Sequence, residues 1–155
     1  MIWRDVLVPN HIVESDGFTA EVGAALTTSL EVFCEWRRPA AGEQTLHRPA
    51  TDGRAGGYDL VGEAGGVGPA DSWAFAAAGV TFHVTEAVAD PPQPGARLLV
   101  RGQLSVAERY FGEQFDTSFI VERIVRTQAG RAWDVRSVGR ARPPGSHYVL
   151  TLAKG

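Results

Sequence analysis

The 155 residues, 44% hydrophobic and 21% charged, have the size and balance of one globular domain that buries about two-thirds of its unfolded surface, which excludes a disordered or fibrous chain. The net charge of −3 argues against non-specific nucleic-acid binding. It hides an asymmetry: residues 1–96 hold 5 basic and 13 acidic groups, residues 97–155 hold 10 and 5. No apolar run is long enough for a signal peptide or a membrane span, so a cytoplasmic protein with no membrane partner is expected.

Ile2-Trp3-Arg4-Asp5-Val6-Leu7-Val8 is predicted as a first strand, stopped by a turn at Pro9-Asn10, and Asp16-Gly17 marks a second turn. From Phe18 to Trp36 the apolar spacing fits one long bent strand or two short ones, with Gly23 as the cheapest bend and Arg37-Arg38-Pro39 as the close. The lone cysteine, Cys34, shares parity with Leu30, Val32 and Trp36 and has no flanking His or Lys, so it is read as buried packing. Eleven Gly and Pro between Pro39 and Pro69 predict a long flexible loop over residues 39–70, in which only Tyr58-Asp59-Leu60-Val61 could form a short strand. Asp71 as a cap, the following alanines and a terminal Gly79 predict a two-turn helix.

Val80, Phe82, Val84 and Val88 then alternate with Thr81, His83 and Thr85, which defines a strand with His83 on its polar face. Asp90-Pro91-Pro92-Gln93-Pro94-Gly95 is a rigid turn. In Arg97–Phe111, Leu98, Val100, Leu104 and Val106 face one way and Arg97, Arg101, Gln103, Ser105 and Arg109 mostly the other. Gly102 sits on the apolar side, where a coiled sheet kinks or meets another backbone. Gly112–Thr117 is a turn, Ser118–Arg126 a strand, and Gln128-Ala129-Gly130-Arg131 a hairpin turn into Ala132–Val138. Arg142-Pro143-Pro144-Gly145 stops that strand, and Tyr148–Leu152 returns as the last.

Six to eight strands with at most one short helix predict a mainly β fold, a small antiparallel β-barrel forming one domain over 1–155. Val80–Val88, Pro91-Pro92-Gln93-Pro94-Gly95 and Arg97-Leu98-Leu99-Val100-Arg101-Gly102-Gln103-Leu104 together resemble the strand, Pro-Gly turn and hydrophobic-x-hydrophobic passage of OB-fold domains, which implies an OB-like barrel. The Trp-containing first strand and Gly17-Phe18-x-x-Glu21-Val22-Gly23 resemble small uncharacterised actinobacterial proteins. Arginine in 14 of the 15 basic positions suits the GC-rich genome that this likeness implies. Neither resemblance implies a catalytic motif.

His11, His47, His83 and His147 form no pair at metal-ligand spacing, and no G-x-S-x-G elbow is present. Gly62–Gly68 lacks the Lys-Ser/Thr pair of a phosphate loop, and Glu63 would repel phosphate. His11, Glu14 and Asp16 read as a solvated turn rather than a cation site. No catalytic residue, metal or cofactor is therefore predicted, and an enzyme is the less favoured class.

The candidate binding surface is the basic half: Arg97, Arg101, Arg109 and Phe111 on one strand, with Arg123, Arg126, Trp133 and Arg136 on the following hairpin. The competing reading makes this a solvated strand face with Phe111 and Trp133 in the core. The expected function is a non-catalytic binding or protein-interaction module. One alternative is single-stranded nucleic-acid binding by arginines on phosphates and rings on bases. Another is a small-ligand barrel, such as a cofactor-independent isomerase or cyclase using His83 and Glu86. The partner is a protein or, through an open edge at Tyr148–Leu152, a second copy of the chain.

Overall fold

The computed structural model describes residues 1–49, 56–87, 90–139 and 145–155. In chain order the elements are β1 (Ile2–Val8), α1 (Asn10–Glu14), β2 (Ala20–Glu21), β3 (Ala25–Thr28), β4 (Leu30–Pro39), β5 (Thr45–Arg48) and β6 (Gly57–Val67), then β7 (Trp73–Ala77) and β8 (Val80–Glu86). They continue as β9 (Arg97–Val106), β10 (Thr117–Gln128), β11 (Arg131–Val135), β12 (Ser137–Val138) and β13 (His147–Ala153), with short 3-10 turns at Pro69–Asp71 and Arg109–Phe111. The protein is mainly β, as predicted. The chain groups into two compact units, Met1–Thr28 with Thr117–Gly155, and Ser29–Asp116, where the sequence predicts one domain.

In the first unit β13 is a central strand, antiparallel to β1 on one side and to β10 on the other. Its buried alternate residues meet buried partners on both sides, Leu152 between Trp3 and Val121, and Leu150 between Val6 and Ile124. This corrects the open edge expected at Tyr148–Leu152: both of its hydrogen-bonding sides are paired within the chain. The other side of β10 carries β3 along Thr117–Ile120 and β11 along Ile124–Gln128. Gly23, at φ +86°, makes the predicted bend as a turn between β2 and β3. The predicted turn at Pro9-Asn10 is instead the entry to α1, which buries Ile12 and Val13.

In the second unit five strands close into a barrel. β4 pairs with β9, β9 with β6, β6 with β7, β7 with β8, and β8 returns parallel to β4. The interior is occupied by Leu30 and Val32, Tyr58 and Leu60, Trp73 and Phe75, Phe82 and Val84, and Val100 and Leu104, each at most 2% exposed. The barrel does not confirm the OB-like label, which rests on the Pro-Gly passage of the sequence alone.

Two expectations are overturned here. The Gly/Pro-rich stretch 39–70 carries β5 and the eleven-residue β6, although residues 50–55 lie outside the described set. Gly57 and Gly62 mark close backbone approach rather than slack: a Cβ on Gly62 would lie 2.1 Å from the Ala76 carbonyl oxygen. The predicted helix at Asp71–Gly79 is β7, in which Trp73, Phe75 and Ala77 are buried with the period of two that a barrel wall demands. Burying two aromatic rings outweighs the few tenths of a kcal/mol per residue of alanine helix propensity, about 2 kcal/mol per ring. Two further expected positions, Val88 at the end of the β8 strand and the Arg142-Pro143-Pro144 stop, lie outside the described residues.

Candidate functional site

β4 pairs regularly with β9 up to Cys34↔Gly102 and then resumes at Trp36↔Arg101, so Glu35 is an extra residue in the ladder. A bulge of this kind reverses side-chain parity. Trp36 therefore leaves the face of Leu30, Val32 and Cys34, where its parity placed it, and stands outside the barrel, 39% exposed. Cys34 stays inside as predicted, and its thiol is pushed up to about 12, first by burial and then by the nearby Glu86 carboxylate.

Two arginines flank the Trp36 ring: the Arg101 guanidinium carbon lies 4.8 Å from its centroid and that of Arg38 5.8 Å. Both are within the reach of cation–π attraction. Arg101 is held in place by Asp59 on β6, with Nε donating to Oδ1 at 2.7 Å and Nη2 to Oδ2 at 2.8 Å. This fork, with help from Arg48 at 3.4 Å, keeps the Asp59 carboxyl below the usual carboxylate range against the opposing effect of burial. Phe33, on the outer face of β4 before the bulge, is 53% exposed. Phe33, Trp36, Arg38 and Arg101 thus form an exposed aromatic and cationic platform on the barrel wall.

The remaining predicted site residues are dispersed. Arg97 donates to the Gly42 carbonyl oxygen and lines a cleft of about 390 Å³ with Glu43 and Glu63. Arg109 is exposed on the 3-10 turn, whereas Phe111 is 1% exposed. Phe111 is part of the core, as the competing reading had it, and is closed to a stacking ligand. On the other unit Arg123 pairs with Asp134 across β10 and β11, with Nε 2.5 Å from Oδ1. Arg126 lies 5.2 Å from the centroid of the exposed Trp133 ring. Arg136 lines a cleft of about 210 Å³ with Arg123 and Asp134. The Trp133 group belongs to the first unit and the Arg101 group to the second.

His83 keeps its predicted parity on the outside of β8 but is only 1% exposed, because the segment after β9 folds over it. Phe111 and Phe115 pack on its imidazole with centroids 4.8 and 4.7 Å away. Glu86 accepts from Trp73 Nε1 at 3.1 Å and from Arg37 Nε at 3.0 Å. His83 and Glu86 lie on opposite faces of β8, so they do not converge on one cavity. Among the described residues no group of three His, Cys, Asp or Glu side chains is placed to hold a metal ion, and no helix is long and apolar enough to cross a membrane.

The fold and this platform define a closed β-barrel protein with an exposed aromatic and arginine-bearing wall. No known protein family, curated protein or solved structure matches the chain. Of the platform, the sequence singled out Arg101 alone. Trp36 and Arg38 were missed because a single bulge inverts the parity of everything after Glu35, and the one local hint is the Arg37-Arg38 pair that follows Trp36.

Proposed function

We propose that the protein is a non-catalytic protein-interaction module whose contact surface is the Phe33, Trp36, Arg38 and Arg101 platform. The observation that supports it most is the pre-positioned pair of Trp36 and Arg101. Trp and Arg are the residues that dominate binding energy at protein interfaces, and a ring already fixed by a neighbour loses little freedom on binding. Asp59 immobilises Arg101 from beneath. Arg38 is exposed beside the Trp36 ring, so its guanidinium is the group that would meet a partner carboxylate.

Charge favours a protein over single-stranded nucleic acid on this surface. Ser29–Asp116 holds seven arginines against twelve carboxylates, and a polyphosphate would be repelled by the unit as a whole.

Selection from a random peptide display library tests the reading. Wild type should enrich peptides that combine a carboxylate with an apolar side chain, and anisotropy on the purified peptide should show at least about tenfold weaker binding for Trp36→Ala or Arg38→Glu, a loss of about 1.4 kcal/mol. A selected peptide that binds both variants like wild type would overturn the assignment. Salt-sensitive capture of labelled single-stranded DNA or RNA, lost in Arg38→Glu, would replace it with the nucleic-acid reading.

A further inference from the structure

We infer that the segment Arg109–Asp116 is an acid-released latch, held shut over the outer face of β8 by its packing on the neutral imidazole of His83. The two phenyl rings of the latch, Phe111 and Phe115, lie on that imidazole with interplanar angles of 26° and 39°. Tyr110 continues the stack onto Phe111 at 4.4 Å. Nε2 of His83 is buried without a hydrogen-bond partner. A neutral ring presents one N–H donor and one lone pair, whereas an imidazolium carries two N–H donors and a charge that this apolar stack does not satisfy.

The backbone beside the latch points the same way. Ala70 and Asp71, neither of them glycine, sit in the left-handed region at φ 53° and 59°, and their 3-10 turn packs against Arg109–Phe111. Such strained conformations persist where the surroundings hold them, and they cluster at switch regions. Lifting the latch removes one of those supports.

The charged groups around His83 do not offset the cost of protonating it. Glu31, its register partner on β4, accepts from the Thr85 hydroxyl at 2.6 Å, and Ala74, its partner on β7, is apolar. The corner contributes Asp71. The latch and its N-terminal flank contribute Glu108, Arg109, Tyr110, Glu113 and Asp116, of which Asp116 has its carboxyl raised by burial and then by Glu113. Burial alone lowers the His83 imidazole below its ordinary 6.5. The closed form therefore binds its proton later than the open form. Closure is unopposed above pH 6.5, weakens as pH falls below that value, and stops weakening once pH passes the lowered one, with the open population rising about tenfold per pH unit in between.

Amide hydrogen exchange over 109–116, corrected for intrinsic rates, tests this near neutral pH and at about pH 5. Wild type should lose protection there on acidification while the β4 and β9 amides keep theirs, and His83→Phe should keep its latch protection at both. Unchanged protection in wild type would overturn the latch. Equal loss in His83→Phe would do so too, since the carboxylates, Asp116 foremost, would then be the acid sensor. If His83→Phe does not fold, His83→Gln serves as the non-titrating variant. The ring resonances of His83 in wild type decide independently: titration at an ordinary histidine pKa would refute the inference.

Discussion

At Gly102 the wall of the barrel has no room for even a methyl group. A Cβ there would come within 2.2 Å of the Phe33 carbonyl oxygen and 2.9 Å of Val32 Cγ1. Because the first of these is backbone, no rotamer change relieves it. Gly102→Ala is expected to lower stability by about 1–3 kcal/mol or more, read from the urea midpoint at unchanged slope. The sequence marked this glycine correctly, since it interrupts an apolar face in the most regular strand of the chain. It also placed Cys34 inside. Trp36, two residues on, escaped the same logic because parity counting assumes an unbroken ladder, and the bulge at Glu35 is a property of the β4 and β9 pairing. His83 shows the converse failure. Its local pattern is a polar-strand pattern, and its burial is decided by a segment that packs back from more than twenty residues away.

Two hairpins share one turn. Ala78-Gly79 and Ala129-Gly130 both join strands through two residues with positive φ, 50° and 77° in the first and 48° and 75° in the second. This is the type I′ geometry, which prefers Asn or Gly at its first position because a Cβ is strained in the left-handed region. Ala129→Asn should therefore stabilise the chain by about 1 kcal/mol, visible as a higher thermal midpoint, and a lower midpoint would contradict the turn assignment. The second hairpin was legible as Gln128-Ala129-Gly130-Arg131. The first was hidden inside an alanine-rich run that favours helix. What separates the two is not the turn but its flanks: Trp73, Phe75 and Ala77 make a strand only because the barrel interior receives their alternate side chains.

Across the whole molecule the pairings join residues remote in sequence. Ile2 pairs with Ala153, the Met1 amino group donates to the Lys154 carbonyl oxygen at 3.1 Å, and β4 pairs with β8 and β9 fifty residues or more further on. Loop closure must precede the reward of each such contact, so refolding is expected on the scale of milliseconds to seconds, and a microsecond phase carrying the full stopped-flow amplitude would contradict this topology. The sequence by itself determined the mainly β character, the strands with clean alternation, the buried cysteine and the close approach at the glycine of β9. All of these follow from period-two burial and local backbone freedom, which neighbouring residues encode. The tertiary structure decided the strands within the glycine-rich stretch, the central place of β13, the turn of Trp36 to the outside and the cover over His83. Each of those depends on which backbone lies beside another, and a linear pattern carries no record of that.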